Sequence, residues 1–232
     1  MSATLDVVIP LFNGVATLER AVNSVLRQDV DLALRIFIVD DCSADESWLL
    51  ACKLADSDER ITITRHSRNL GTSAARNTGV RLGCGELIGF IDQDDEWMPE
   101  KVARQAPPLL EPLSSEYSTG EQYMMLESGH KRPSWCRDEW LNKPLIGYVP
   151  SALMVKRETW NLVGAFDERL RSGGDDTEWF LRLRKFGLKH HFVNQVVVRR
   201  YVHENNNSAN ISASNRELLE VVRQWLPSQS DD

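Results

Sequence analysis

Residues 86–95 read Glu86-Leu-Ile-Gly-Phe-Ile-Asp-Gln-Asp-Asp95. Leu87 to Ile91 is an apolar run of strand length with no polar face. Such a run suits a strand covered on both sides, as in a parallel sheet packed between helices. It stops at three carboxylates, Asp92, Asp94 and Asp95. Working toward the N-terminus, the same kind of run recurs at Leu5-Asp-Val-Val-Ile-Pro-Leu11, at Arg35-Ile-Phe-Ile-Val39 and, more briefly, at Ile61-Thr-Ile-Thr64. Between the runs, apolar residues fall at helical spacing. Val15, Leu18, Val22, Val25 and Leu26 mark a helix over 15–28; Trp48, Leu49, Leu50, Cys52 and Leu54 mark a second; Gly71 to Leu82 is a third. A fourth is expected to begin near Pro99, a residue suited to a first turn. Strands alternating with helices of ~10–15 residues predict βαβ units and an α/β fold with a mostly parallel sheet.

Toward the C-terminus the pattern loosens after Gln105, where Pro107, Pro108 and Pro112 break the helix. Tyr117 to Leu126, divided by Gly120, reads as a hairpin, and 128–144 as a loop. Tyr148 to Val155 reads as a strand, Arg157 to Val163 as a short helix, Asp175 to Phe186 as a helix and Val196 to Val202 as a strand. A terminal helix over 216–226 would present Leu218, Leu219, Val222, Trp225 and Leu226 on one face. The expected organisation is a single compact domain over 1–212, with halves at 1–105 and 106–212, followed by a helix and tail over 213–232.

The 232 residues suffice for one domain with a real core. With 27 Lys and Arg against 34 Asp and Glu, the net charge is −7. That argues against sequence-independent nucleic-acid binding, which needs surplus cations. No apolar run reaches membrane-spanning length, and Met-Ser-Ala-Thr-Leu-Asp has no signal-peptide pattern. Cys42, Cys52, Cys84 and Cys136 form no CxxC pair, which favours free thiols in a reducing cytoplasm. There is no G-x-G-x-x-G after the first strand, no G-x-x-x-x-G-K-[ST] and no G-x-S-x-G. Dinucleotide redox chemistry, P-loop hydrolysis and the nucleophile-elbow hydrolases are thereby disfavoured.

In an open parallel sheet, ligands bind beyond the carboxyl ends of the strands, where these acids collect. If extended, Asp92-Gln93-Asp94 directs both carboxylates to one side. Two such groups repel unless a cation such as Mg²⁺ or Mn²⁺ lies between them, sharing its remaining sites with a diphosphate; the plainer reading is a polar turn that caps the next helix. Asp40-Asp41-Cys42-Ser43 reads either as a turn and cap or as carboxylates for a ribose hydroxyl or base N–H. Phe12 reads either as core or as a base-stacking ring. Gly173-Gly174-Asp175-Asp176 opens a helix, where acids are commonly caps, or delivers a general base on a flexible glycine loop. His203, at the end of the last strand, reads as a surface histidine, as a ligand of metal or phosphate, or as an acceptor contact. The six Lys and Arg between Arg182 and Arg200, with no acid among them, read as a solvated face or as one meeting an anionic acceptor or a membrane surface.

Together these segments resemble the family 2 glycosyltransferases of the GT-A fold. Val8-Ile-Pro-Leu-Phe-Asn13 is similar to V-x-P-x-Y-N, and Ile38-Val-Asp-Asp-Cys-Ser-Ala-Asp45 to V-D-D-G-S-x-D. Asn69-Leu-Gly-Thr-Ser-Ala-Ala-Arg-Asn-Thr-Gly79 matches N-x-G-x-x-x-A-R-N-x-G, and Phe90-Ile-Asp-Gln-Asp-Asp-Glu-Trp97 matches F-L-D-x-D-D-x-W. Val163-Gly-Ala-Phe-Asp-Glu168, Asp175-Asp176 with Arg182, and Tyr201-Val-His203 with Asn207-Ser208 resemble V-G-x-F-D-E, E-D…R and R-x-H-x-x-N-x-S. The matches run in order from about residue 5 to 208.

The resemblance implies inverting transfer from a nucleoside diphosphate sugar, a UDP-sugar first among them, to a hydroxyl acceptor that is a glycan, a lipid-linked sugar or a polypeptide. It implies a donor site built from Pro10, Phe12, Asn13, Asp40, Asp41, Asn69, Gly71, Arg76, Asp92, Gln93 and Asp94. It also implies a Mn²⁺ or Mg²⁺ ion at Asp94, with Asp92 and His203, and Asp176 as the base. Phe12 stands for the family's usual Tyr, Asp175 for Glu, and Val202 for an Arg before the His, whose contact would pass to Arg199 or Arg200. Residues 106–146 match no motif and are where acceptor recognition is expected. Peripheral membrane contact and a homo-oligomer are compatible with this reading. Two alternatives stand beside it. A sugar-nucleotide pyrophosphorylase would need a Gly-rich, Arg-containing loop after the first strand, which Pro10-Leu-Phe-Asn-Gly14 lacks. A catalytically silent sugar-nucleotide-binding module would not need Asp92, Asp94 and Asp176 intact.

Overall fold

The structure, a computed structural model, describes residues 3–111, 115–171, 173–204, 206, 216–221 and 223. Pro112, Asn207, Ser208, Val222, Trp225 and Leu226, which carried expectations above, lie outside the described residues.

The first half is a βαβ series: β1 (Thr4–Leu11), α1 (Leu18–Leu26), β2 (Ala33–Asp40), α2 (Ser47–Ser57), β3 (Ile61–Arg65), α3 (Thr72–Leu82) and β4 (Leu87–Phe90). The second half runs β5 (Asp95–Trp97), α4 (Lys101–Gln105), α5 (Pro107–Leu110), β6 (Tyr117–Leu126), β7 (Pro144–Ile146), β8 (Met154–Lys156), α6 (Arg157–Val163), α7 (Asp175–Lys185) and β9 (His190–Val202). One sheet holds all the strands, in the order β3-β2-β1-β4-β8-β6-β9-β5, with β7 on β6. From β3 to β4 every pairing is parallel. Beyond β4 the sheet is mixed: β8 pairs antiparallel with β4 and β6, while β9 runs parallel to β6 and antiparallel to β5.

β1 is central, and its alternation assigns the two cores. Leu5, Val7, Ile9 and Leu11 point to the face carrying Leu18, Val22 and Val25 of α1. Val8 points to the other face, among Val80, Trp160, Phe166, Trp179 and Phe180 of α3, α6, the following loop and α7. A Cβ on Gly79 would collide with the Val8 side chain, so α3 lies against β1 at backbone distance. This contact sets Arg76, one turn nearer the helix N-terminus, over the carboxyl ends of the strands. At the opposite end, Asp6 is fully buried and accepts hydrogen bonds from Arg35, Arg157 and the Gly85 N–H, tying the second half to β1.

Several expectations are corrected. Helix α1 begins at Leu18, because the Gly14 carbonyl accepts the Thr17 and Leu18 N–H groups in a turn that leaves Val15 exposed. The expected hairpin over 117–126 is one strand. Gly120 has no positive φ; it allows close packing, since a Cβ there would lie 2.6 Å from Val197 Cγ1, beside a register shift against β9. The expected strand over 148–155 is a 3₁₀ turn, Pro150–Ala152, followed by β8; a proline without an N–H suits the turn better than an interior strand. The loop over 128–144 contains a 3₁₀ turn at Asp138–Trp140, and Trp135 and Trp140 pack on a small third core of Met124, Cys136 and Val202.

Candidate active site

The carboxyl ends of β1, β2 and β4 meet the N-termini of α3 and α7, and the site grows from those contacts. Asp41 follows β2 and accepts the Leu70 and Gly71 N–H groups at 2.8 and 2.7 Å, with His66 Nδ1 2.7 Å away. These bonds satisfy donors at the start of α3, where Gly71 takes φ 98°, a conformation open to glycine. Asp40 is fully buried, shared between Ser43 and Arg65 Nε, the latter at 2.9 Å. Asn69 Oδ1 accepts from Arg171 at 2.9 Å. Asp40, Asp41, Asn69 and Gly71 thus form one braced corner, bonded to the chain itself.

At the end of β1, Pro10 is buried opposite Val39. Phe12 is 44% exposed, which removes it from the core. Its backbone is clamped by Gln93: the Phe12 N–H donates to Gln93 Oε1 at 2.7 Å, and Gln93 Nε2 donates to the Phe12 carbonyl at 3.0 Å. Gln93 therefore acts as a strap between β1 and the loop after β4, and Gly14 leaves room for it. Asn13, at φ 50°, accepts the Ala44 N–H.

Asp92-Gln93-Asp94 is not extended. The Asp95 N–H donates to the Asp92 carbonyl at 3.0 Å, closing a turn that sends the two carboxylates to different partners. Asp92 Oδ1 accepts from Arg76 Nη2 at 2.5 Å. Asp94 Oδ2 accepts from Asn206 Nδ2 at 2.9 Å and lies 3.1 Å from His203 Nε2. Burial opposes ionisation of Asp94, but the hydrogen bond and charge of His203, with Arg200, hold its carboxyl below the ordinary value; Asp94 reciprocally raises His203. Asp95 is buried and pushed well up by that burial, although Arg200 opposes the shift.

Among the described residues, no group of three or more His, Cys, Asp or Glu side chains is arranged to hold a metal ion. The Asp94–His203 pair still fits two places of one. Neighbouring ligands on an octahedral ion with ~2.1 Å bonds lie about 3 Å apart, and these two atoms are 3.1 Å apart. Asp92, committed to Arg76, is not part of that pair.

Asp175 is buried at the start of α7 and accepts from Ser73 Oγ at 2.8 Å and Arg76 Nη1 at 3.0 Å. Asp176 is half-buried and accepts the Thr177 N–H at 2.6 Å. Burial and the neighbouring Asp175 carboxylate push Asp176 up to about 7, against the opposing charge of Arg76. That value suits a group exchanging protons near neutrality. The glycine segment before it is braced: Gly174 packs against Glu217, whose Oε1 accepts the Arg171 N–H at 2.9 Å.

Five further residues contribute. The Arg200 charge reaches Asp92, Asp94, Asp95 and Asp176, while its Nη1 donates to Gln122. Ser151 Oγ accepts the Asp92 N–H at 3.0 Å. Arg20 donates to the Asp94 carbonyl at 2.9 Å and pairs with Glu127. Asn206 reaches Asp94, and Glu217 supports the acidic loop. Arg200 is one of the two residues to which the resemblance passes the missing Arg contact, and Asn206 stands at the H-x-x-N spacing from His203; Ser151, Arg20 and Glu217 carry no sequence signal.

A parallel sheet extended by antiparallel strands, with carboxylates after β4 tied through Arg76 to an acidic helix start, is the arrangement of the GT-A fold. The sequence model of "Glycosyl transferase family 2" matches residues 6–135. The chain belongs to that family. It is 27% identical over 213 residues to the putative teichuronic acid biosynthesis glycosyltransferase TuaG of Bacillus subtilis, covering 89% of this chain and 82% of that protein. Its matches to several other curated relatives cover 27–35% of their length. Among solved structures, mannosyltransferase PcManGT from Pyrobaculum calidifontis, in complex with GDP-Man and Mn²⁺, superposes with a TM-score of 0.73 at 16% identity, covering 97% of this chain and 64% of that one. S. aureus TarS 1–349, in complex with UDP-GlcNAc, gives 0.72 at 19% identity, covering 95% and 65%.

Proposed function

We propose that this chain is an inverting, metal-dependent glycosyltransferase that moves a sugar from a nucleoside diphosphate donor, a UDP-sugar, to a hydroxyl group. The observation that carries the reading is the Arg76 bridge between Asp92 after β4 and Asp175 at the start of α7, next to which stand the Asp94–His203 pair on one side and Asp176, raised to about 7, on the other. The named ligands of the structural relatives, UDP-GlcNAc and GDP-Man with Mn²⁺, support the donor class and the metal.

In this reading Phe12 stacks on the base and the corner of Asp40, Asp41, Asn69 and Gly71 shapes the nucleoside end. Pro10, Asn13 and Gln93 hold that wall, and Asp92 and Arg76 form the floor beneath the ribose and diphosphate. Asp94 and His203 would hold the divalent ion. When bound, such an ion acts as a Lewis acid on the diphosphate, stabilising the charge that develops as it leaves. Asp176 in its ionised form accepts the proton of the acceptor hydroxyl. The oxygen then attacks the anomeric carbon from the face opposite the diphosphate, the carbon–oxygen bond to phosphate breaks, and the nucleoside diphosphate departs with its electron pair. A single displacement inverts the centre and needs no protein nucleophile.

The division into a donor half over 1–105 and an acceptor half over 106–212 is part of this proposal, as is action in the cytoplasm. Among the described residues, no helix is long and apolar enough to cross a membrane. A thermal-shift screen of nucleotide sugars tests the donor assignment: stabilisation by a UDP-sugar that strengthens with Mn²⁺ supports it, and no response to any nucleotide sugar refutes it.

A further inference from the structure

Arg20 stands in the first turn of α1, far in sequence from the acids of the site. Its guanidinium nevertheless meets three of the segments around them. Nη1 donates to Glu127 Oε1 at 3.1 Å and Nη2 to Glu127 Oε2 at 2.7 Å, a two-pronged pair. Nη2 also donates to the Asp94 carbonyl at 2.9 Å. The planar group lies over the Tyr201 ring, 3.6 Å from its centroid. Tyr201 is itself fixed, its hydroxyl donating to Glu96 Oε2 at 2.9 Å.

These contacts close a circuit. Glu127 follows β6, and its N–H donates to the Val202 carbonyl at 2.9 Å, beside His203. His203 Nε2 lies 3.1 Å from Asp94 Oδ2. The Asp94 carbonyl leads back to Arg20, and Arg20 to Glu127. Asp94 and His203 thus come from two segments that one guanidinium–carboxylate pair fastens together. The Arg20 and Glu127 side chains are only 26% and 20% exposed, so solvent screens their charges in part. The Glu127 charge is felt at His203, where it helps Asp94 to favour the protonated ring.

We propose that Arg20 and Glu127 are positioning residues for the Asp94–His203 pair, and that the Glu127 carboxylate is the counter-charge that lets a divalent cation bind beside Arg20. A guanidinium bonded to the Asp94 backbone and left alone would repel such a cation. Paired with Glu127, it keeps its grip on the Asp94 carbonyl while its charge is cancelled. A brace that served only the fold would affect UDP binding alike with and without metal. The circuit predicts a selective loss of metal instead, because it closes on Asp94 and His203 and does not include Phe12, Arg76 or Asp92. The inference rests on the reading of Asp94 and His203 as the metal pair.

Titration of Mn²⁺ in the presence of UDP tests it without turnover, the free ion being read by electron paramagnetic resonance and UDP binding in EDTA by calorimetry. Glu127→Gln keeps the shape and one oxygen for Arg20 but removes the charge. It should weaken Mn²⁺ binding about tenfold, the effect of one uncompensated charge at a partly buried site, with UDP binding in EDTA unchanged. Glu127→Asp, which keeps the charge, should recover most of that loss. Arg20→Lys keeps the cation but cannot meet both Glu127 oxygens and the Asp94 carbonyl as a planar fork does, so it too should weaken Mn²⁺ selectively. Wild-type Mn²⁺ affinity in both Glu127→Gln and Arg20→Lys overturns the proposal, as does an equal loss of UDP binding in EDTA. Asp94→Asn separates the two failures. If it loses Mn²⁺ while Glu127→Gln and Arg20→Lys bind as wild type does, only the role of the Arg20–Glu127 pair falls. If wild type and Asp94→Asn bind Mn²⁺ equally, or neither binds it, the metal reading falls and this role with it.

Discussion

Asp92 and Asp175 are held by a single guanidinium, Arg76 Nη2 lying 2.5 Å from Asp92 Oδ1 and Nη1 3.0 Å from Asp175 Oδ2. One carboxylate follows β4 and the other opens α7, so the cation from α3 fixes the donor side of the site against the side that carries Asp176. Arg76 is itself buried, with its ring-facing side toward Phe166. Its charge meets these two acids and Asp176.

Arg76→Met should therefore destabilise the protein by about 3 kcal/mol, because removing one partner strands buried charge. Arg76→Lys should recover only part of this, since one ammonium cannot span both carboxylates as a planar fork does. Urea unfolding of the two variants measures the difference. A loss below about 1 kcal/mol in Arg76→Met would show that the bridge is not structural.

Gly79→Ala should lower stability by about 1–3 kcal/mol, the usual range for an overpacked core. The added methyl meets Val8 and forces α3 away from β1. Arg76 would move with the helix, so donor turnover should fall as well. A double variant, Gly79→Ala with Val8→Ala, should restore part of the stability, as read by thermal unfolding.

Strands β1, β2 and β4 are legible in the sequence because they are buried on both faces over most of their length and so read as apolar runs, whereas β3, an edge strand with Thr62 and Arg65 exposed, is legible only as a short alternation. The second half is less legible because its signals are ambiguous. Gly120 marks a close approach of β6 to Val197 and not a turn, and β8 is only three residues long. The carboxylates of the site stand out because they cluster after strands and at a helix start. Ser151 and Arg20 do not, because each acts through a pairing with a distant segment that no local pattern records. Even Asp92-Gln93-Asp94, legible as a motif, is misjudged as extended because a turn hydrogen bond is invisible in residue types alone.

With Asp176 at about 7, its ionised form grows as pH rises through neutrality, so turnover should rise with an inflection near pH 7. Asp176→Asn should cost ~10²-fold or more in turnover while leaving donor affinity nearly unchanged. Stability should move the opposite way. The folded value lies above the ordinary 3.8, so this group's contribution is complete below about pH 4 and is lost as pH rises through about 7. Asp176→Asn should accordingly gain stability relative to wild type at pH 8 compared with pH 5, as followed by denaturant unfolding.

Phe12→Ala should cost under ~1 kcal/mol in stability, because the ring is substantially exposed; a core phenylalanine would cost ~3–5 kcal/mol. Nucleotide affinity should fall by one to two orders of magnitude, in keeping with ~1–3 kcal/mol for base–aromatic stacking. Phe12→Tyr should be close to neutral. Calorimetric titration and unfolding of the same sample separate the two effects.

Nucleoside diphosphate release tests metal-dependent sugar transfer at Asp94. Wild type and Asp94→Asn would be assayed over a panel of UDP- and GDP-sugars, each with Mn²⁺ and with EDTA. Release is expected from at least one donor with Mn²⁺, with its loss in EDTA and a fall of about 100-fold or more in Asp94→Asn with the fold retained. Undiminished release in EDTA, or from Asp94→Asn with Mn²⁺, would contradict it.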